Sequence, residues 1–225
     1  MFPRQIFRYN TINKISTRNI TFLNNGSRIR GIKRDPESYM KNPIGINYKS
    51  IDNKLIQDKI RSVLKFDKYN INLSDDLILQ CLTHKSFAHG KLPYNEKLFM
   101  LGSHFLKLRA SIYSLNNSST TTSNNTINGL NFNNLGKFDN KNLISSTNIT
   151  KLIKSAKIDD ICFWKMRDGQ KDGKFNGEDR VLQTTLNSLI GAILIVDGPQ
   201  TAKLYVDDFL LNKNNELSLI NIASK

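Results

Sequence analysis

The sequence predicts an all-α domain. Two observations predict it: apolar residues recur at three- and four-residue spacing in several long segments, and no stretch of useful length alternates apolar with polar side chains as a half-buried strand does. From residue 51, "IDNKLIQDKIRSVLKF" places Ile51, Leu55, Ile56, Ile60, Val63 and Leu64 on one face of an amphipathic helix. "LSDDLILQCLTHKSF" follows, with Ser74 suited to the N-cap and Asp75 and Asp76 in the first turn, where the helix dipole favours acids. A long helix is predicted from Tyr94 to Leu115. After it, "NNSSTTTSNNTINGLNFNNLGKFDNKN" at 116–142 is rich in Asn, Ser and Thr and poor in core formers. Such a segment buries too little apolar surface to offset its ordering entropy, which predicts a disordered, low-complexity insertion. Helical spacing returns in "NITKLIKSAKIDDICFW", breaks at the basic, Gly-containing "KMRDGQKDGKFNGEDR", and is strongest in "VLQTTLNSLIGAILIV". In the closing "DGPQTAKLYVDDFLL", Pro199 suits a helix start.

Length and composition narrow the class. A chain of 225 residues with 39 % hydrophobic content holds one packed domain plus extensions. Its formal net charge of +14 favours polyanionic partners, nucleic acid first and an anionic membrane surface second. No apolar run approaches the roughly 20 residues that cross a bilayer, so no membrane span is expected. Cys81 and Cys162 lie among apolar neighbours, which argues against a disulfide framework and for a thiol-reducing compartment. Cys81 with His84 has the spacing of half a zinc site, but no second pair follows, and a buried thiol is the simpler reading. Gly191 suits close helix packing, and Phe163 and Trp164 suit the core.

The first acid in the chain is Asp35. An acid-free, Arg-rich segment of this kind reads as a mitochondrial presequence, with "RNIT" at 18–21 like a processing site; the same composition would serve a basic RNA-binding tail. The expected organisation is a presequence and basic segment at 1–34, a linker or extended arm at 35–50, a domain at 51–211 interrupted by the insertion, and a C-terminal tail at 212–225.

Three segments in order carry a resemblance: "LTHKSFAHG" at 82–90, "NEKLFMLGSHFL" at 95–106 and "VLQTTLNSLIGAILIVDG" at 181–198 resemble landmarks of the ribonuclease III endonuclease domain. The resemblance implies a helical fold of that type. It also implies two pairs of acids that hold Mg²⁺ against a phosphodiester, since a hard cation needs anionic oxygen ligands. Carried onto this chain, those positions are Phe99 and Ser103 in one helix and Thr184 and Asn187 in another, all uncharged. Glu96 matches an acid of the signature outside the principal ligand set, and His84 and His89 match its "THxSxxH" pattern, where they read as helix-end hydrogen-bonders. The expectation is a degenerate site with no catalytic residue, no metal and no cofactor, in a chain that is not an enzyme.

What the resemblance leaves is RNA binding and dimerisation. A basic domain of this kind, with a presequence and without a double-stranded-RNA-binding domain, resembles the ribonuclease III-like proteins of the mitochondrial large ribosomal subunit in their fungal form. The function expected is a structural ribosomal constituent in the mitochondrial matrix, bound to mitochondrial rRNA and to other large-subunit proteins. RNA contacts are expected at Lys85, Lys91, Lys165, Arg167, Lys171, Lys174 and Arg180. A second ribonuclease III-like protein is the expected dimer partner, met through Met100 and Phe105. The alternative is a noncatalytic subunit that pairs with an active ribonuclease III in mitochondrial RNA processing.

Overall fold

The computed structural model describes residues 40–49, 53–116, 132, 135–136 and 138–224. The segment 1–34 and most of the Asn-rich stretch lie outside the described residues. The α-helices are α1 (Asn53–Val63), α2 (Asp75–Leu82), α3 (Glu96–Asn116), α4 (Phe138–Leu143), α5 (Ser146–Ser155), α6 (Glu178–Val196), α7 (Gly198–Tyr205) and α8 (Leu219–Ala223). Among the described residues there is no strand, only two isolated bridges, so the all-α expectation holds.

Local chemistry explains where the helices begin and end. Ser74 caps α2 by accepting a hydrogen bond from the Leu77 amide, and Ser145 and Ser218 do the same for α5 and α8. The first helix stops short of Phe66 because Lys65 turns into the left-handed region, after which Phe66–Tyr69 forms one 3₁₀ turn. The helical run expected through Trp164 ends early for a similar reason: α5 closes at Ser155 and Lys157 has φ 52°. Residues 162–164 are then extended, and Phe163 pairs in parallel with Thr83, its amide donating to Leu82 O at 2.9 Å while the His84 amide donates to Phe163 O at 2.8 Å. The helix α7 continues into a π-turn, Val206–Leu210.

The core is built round α6, which is buried almost continuously from Val181 to Ile193. Its hydroxyls are satisfied within the helix or by the end of α2: Thr184 and Thr185 donate to Val181 O, and Ser188 donates to Thr185 O and Cys81 O. Helix α3 crosses α6 at backbone contact. A Cβ on Gly102 would lie 1.7 Å from Asn187 O, and one on Gly191 would lie 2.1 Å from Leu98 O. Only glycine permits this approach at both points, so the packing role expected of Gly191 is met and Gly102 shares it. Phe163 and Trp164 are buried as expected, and Cys81 and Cys162 are buried free thiols.

The structure shows folded elements within three of the stretches outside the expected helices. Residues 40–49, within the stretch expected as a linker or arm, fold back as a turn in which Met40 packs with Leu79, Phe87 and Phe163, and Asn42 Nδ2 donates to Asp160 O at 2.8 Å. The end of the expected insertion forms α4. The C-terminal tail contributes Leu219 and Ile222 to the core, and α8 packs on α5. Short helices of this length show little periodicity of their own and are set by what they pack against.

Candidate functional site

The starts of α3 and α6 meet the end of α2, and the chain between them frames a cleft of about 360 Å³ lined by His84, Lys85, Ser86, Asn95, Glu96, Phe99, Arg180 and Thr184. Asn95 fixes its floor. It is fully buried, its amide donates to Thr83 O at 3.0 Å and its side-chain nitrogen donates to Cys81 O at 3.0 Å, which ties the start of α3 to the end of α2.

The ring of His84 is oriented by Ser86, whose backbone amide donates to Nδ1 at 3.2 Å. An amide can only donate, so the neutral ring carries its proton on Nε2. Burial, more than the nearby cations Arg180 and Lys85, pushes the His84 pKa below its ordinary value, and the ring is neutral near pH 7. The Ser86 hydroxyl accepts from the Lys165 amide at 3.1 Å and so fastens the start of the 165–180 loop to the cleft. Lys85 Nζ meets both oxygens of Glu96 at 3.0 and 2.9 Å; both side chains are at least half exposed, and a pair of that kind steers geometry more than it stabilises. Arg180 is exposed and makes no ion pair with any described residue. The cleft therefore presents a guanidinium, an ammonium and an imidazole N–H beside the apolar wall of Phe99, an arrangement that can hold a phosphate oxygen.

Two of the four positions carried by the resemblance are among the residues that line the cleft. Phe99 and Thr184 line the cleft. Ser103 and Asn187 do not: the Ser103 hydroxyl donates to Met100 O at 3.0 Å, and Asn187 is buried with its side-chain oxygen unpartnered. Among the described residues no group of three or more His, Cys, Asp or Glu side chains could hold a metal ion. Magnesium needs anionic oxygen, and the one carboxylate of the cleft is engaged by Lys85.

The expected RNA contacts fall at the cleft and beside it. Lys85 and Arg180 line it, while Lys91, Lys165, Arg167, Lys171 and Lys174 are exposed on the turn after α2 and on the 165–180 loop. Of the expected partner contacts, Met100 is 56 % exposed, but Phe105 is half-buried against the core. Leu101 and Leu108, which the sequence reading passed over, are exposed on the same helix. Asn95 was also missed; a polar residue directly before the first acid of a helix was the available signal.

A ribonuclease-III-like family model matches residues 74–214, more than half of the chain, and the chain belongs to that family. A solved structure of the nuclease domain of ribonuclease III from Campylobacter jejuni is 22 % identical, covering 66 % of this chain and 89 % of that one, with a TM-score of 0.49. A second structure of that domain, described as showing structural flexibility in a region involved in dimer formation, is 24 % identical, covering 65 % of this chain and 92 % of that one, with a TM-score of 0.47.

The membership corrects one expectation. The neutral set Phe99, Ser103, Thr184 and Asn187 suggested a chain that is not an enzyme, whereas the family to which it belongs is one of enzymes. The expectation set Glu96 aside as lying outside the principal ligand set and read His84 as a helix-end hydrogen-bonder. Folding gathers His84, Glu96 and the hydroxyls of Ser86 and Thr184 into the same cleft, and spacing along the sequence does not bring those groups together.

Proposed function

We propose that this chain is a structural constituent of the mitochondrial large ribosomal subunit, which holds rRNA at the cleft and its flanking basic loop and pairs with a second ribonuclease III-like protein. The observation that carries the RNA-binding part is the cleft itself: Arg180 stands without an acidic partner among the described residues, beside Lys85 and the Nε2–H of His84, in a chain of net charge +14. Recognition of this sort reads phosphate position and helix shape, because the A-form major groove hides base edges from side chains. The acid-free first 34 residues support the mitochondrial assignment. The exposed Met100, Leu101 and Leu108 on α3 support the protein partner, since apolar surface of that extent on one helix calls for cover.

The test is sedimentation of the native protein from lysed mitochondria through a high-salt gradient. The expected result is recovery with the large ribosomal subunit. Recovery in a ribosome-free particle with an RNA-processing nuclease would transfer the reading to RNA processing, and recovery in neither would overturn it.

A further inference from the structure

The loop 165–180 is a basic, Gly-containing break in the helical pattern, yet it is fastened at three places. Its start is held by the bond from the Lys165 amide to Ser86. Its middle is held by Asn176, whose Oδ1 accepts from the Asp168 amide at 2.8 Å and whose Nδ2 donates to Asp168 O at 2.8 Å and to Lys171 O and Asp172 O at 3.0 Å. Its end is held by Glu178, which pairs with Lys154 of α5 at 2.7 Å and lies so close over Gly173 that a Cβ there would meet it at 2.5 Å. On this fixed turn sits Phe175, 59 % exposed, with Lys171 Nζ 4.2 Å from the centroid of its ring. Lys174 is exposed next to it.

We propose that Phe175 is a stacking platform for an unpaired nucleobase, with Lys171 and Lys174 beside it for the flanking phosphates; the inference rests on the RNA-binding reading above and names the class of RNA that this loop takes. A phenyl ring has no polar handle, so what it recognises is a flat apolar face. Lys171 Nζ lies over the ring, and the exposed remainder of the Phe175 side chain offers the docking plane. A flat π-face attached to an anionic chain is a nucleotide, and stacking of that kind accepts any base. Because Asn176 holds the turn before any ligand arrives, the ring is presented without the cost of ordering a free loop.

The experiment compares the full chain with Phe175→Ala, Phe175→Leu and Phe175→Trp for binding to single-stranded oligoadenylate and to a duplex RNA of the same length. The loss of one stacked base weakens single-strand binding by about tenfold, so the Ala and Leu variants are expected to fall by that factor while duplex binding holds. The Trp variant is expected to retain affinity, and its indole emission is quenched on binding; Trp164, the chain's one natural tryptophan, is buried and gives a constant background. Ala and Leu variants that bind oligoadenylate as the wild type does would overturn the stacking and leave RNA binding standing. A wild type that binds neither RNA would overturn both. Loss of a protein partner from the Ala variant, with RNA binding intact, would assign the ring to a protein contact and also overturn the proposal.

Discussion

Gly102 and Gly191 set the spacing of the two central helices, and what each would meet on gaining a methyl group is backbone. A flexible side chain could move aside, but a carbonyl within a helix moves only with its helix. Gly102→Ala is therefore expected to cost about 3 kcal/mol or more, the upper end of overpacking effects, read as a lowered urea midpoint. Ser103→Ala, one position along, removes only an exposed hydroxyl and should stay within about 0.5 kcal/mol. The thiols give a pH prediction of definite sign. Burial raises the pKa of both Cys81 and Cys162 from an ordinary 9.0 to about 12. Groups with raised folded values stabilise the fold fully below their unfolded pKa, and that contribution is lost as pH rises through the folded one. Stability should therefore fall between about pH 9 and 12, and the fall should shrink in a variant with both residues changed to Ala. In the native protein at pH 8, neither thiol should react with a disulfide reagent faster than the chain unfolds.

Helix α3 carries apolar residues on two faces. Leu98, Gly102, Leu106 and Ala110 repeat every fourth residue and face the core, while Met100, Leu101 and Leu108 are exposed at 56, 47 and 56 %. The second set lies on the surface of the folded chain, so charging it should leave folding intact. Met100→Asp combined with Leu108→Asp is expected to keep the melting temperature within a few degrees and to abolish capture of a ribonuclease III-like partner, measured by light scattering of the co-expressed pair. Unchanged capture would place the interface elsewhere. The same helix shows how far a sequence can be read. Its extent, Glu96 to Asn116 against an expected Tyr94 to Leu115, follows from periodicity alone. Which apolar face is inside does not, because both faces carry Leu and only the Gly102 contact with α6 decides. Nor does the early end of α5 follow, since the left-handed turn at Lys157 has no glycine or asparagine to announce it. The cleft was legible only in part. Phe99 and Thr184 came from their places in the signature, and the basic residues came from charge. Ser86, Asn95 and the clamp at Asn176 act through hydrogen bonds to backbone that spacing along the chain does not encode.

For the whole chain, the acid-free first 34 residues lead to one expectation by mass: the mature protein from mitochondria should lack about the first 20 residues, and an intact Met1 there would assign the segment to RNA binding instead. The net charge of +14 invites a second expectation, a steep salt dependence of RNA affinity, but net charge and slope are different quantities. The slope counts the phosphates actually neutralised, each adding about 0.7 to 0.9 to the fall of log affinity with log salt. The 165–180 loop shows the difference, because its basic residues Lys165, Arg167, Lys171, Lys174 and Arg180 are nearly balanced by Asp168, Asp172, Glu178 and Asp179. A field summed over the loop is weak, and only side chains that reach a phosphate will register. Lys85 is already paired with Glu96, so RNA gains from it only what the carboxylate gives up. Arg180 has no such competitor among the described residues. Arg180→Ala is therefore expected to lower the slope by nearly one full contact and Lys85→Ala by clearly less. A variant with Lys165, Arg167, Lys171 and Lys174 all changed to Ala should lower the slope by about 0.7 to 0.9 for each residue that touches the backbone, up to roughly 3 to 3.6 if all four do. Titrations of one duplex RNA at several salt concentrations measure these slopes directly. Equal effects of Lys85→Ala and Arg180→Ala would show that the ion pair does not persist in the complex, and an unaltered slope in the quadruple variant would remove the loop from the phosphate contacts.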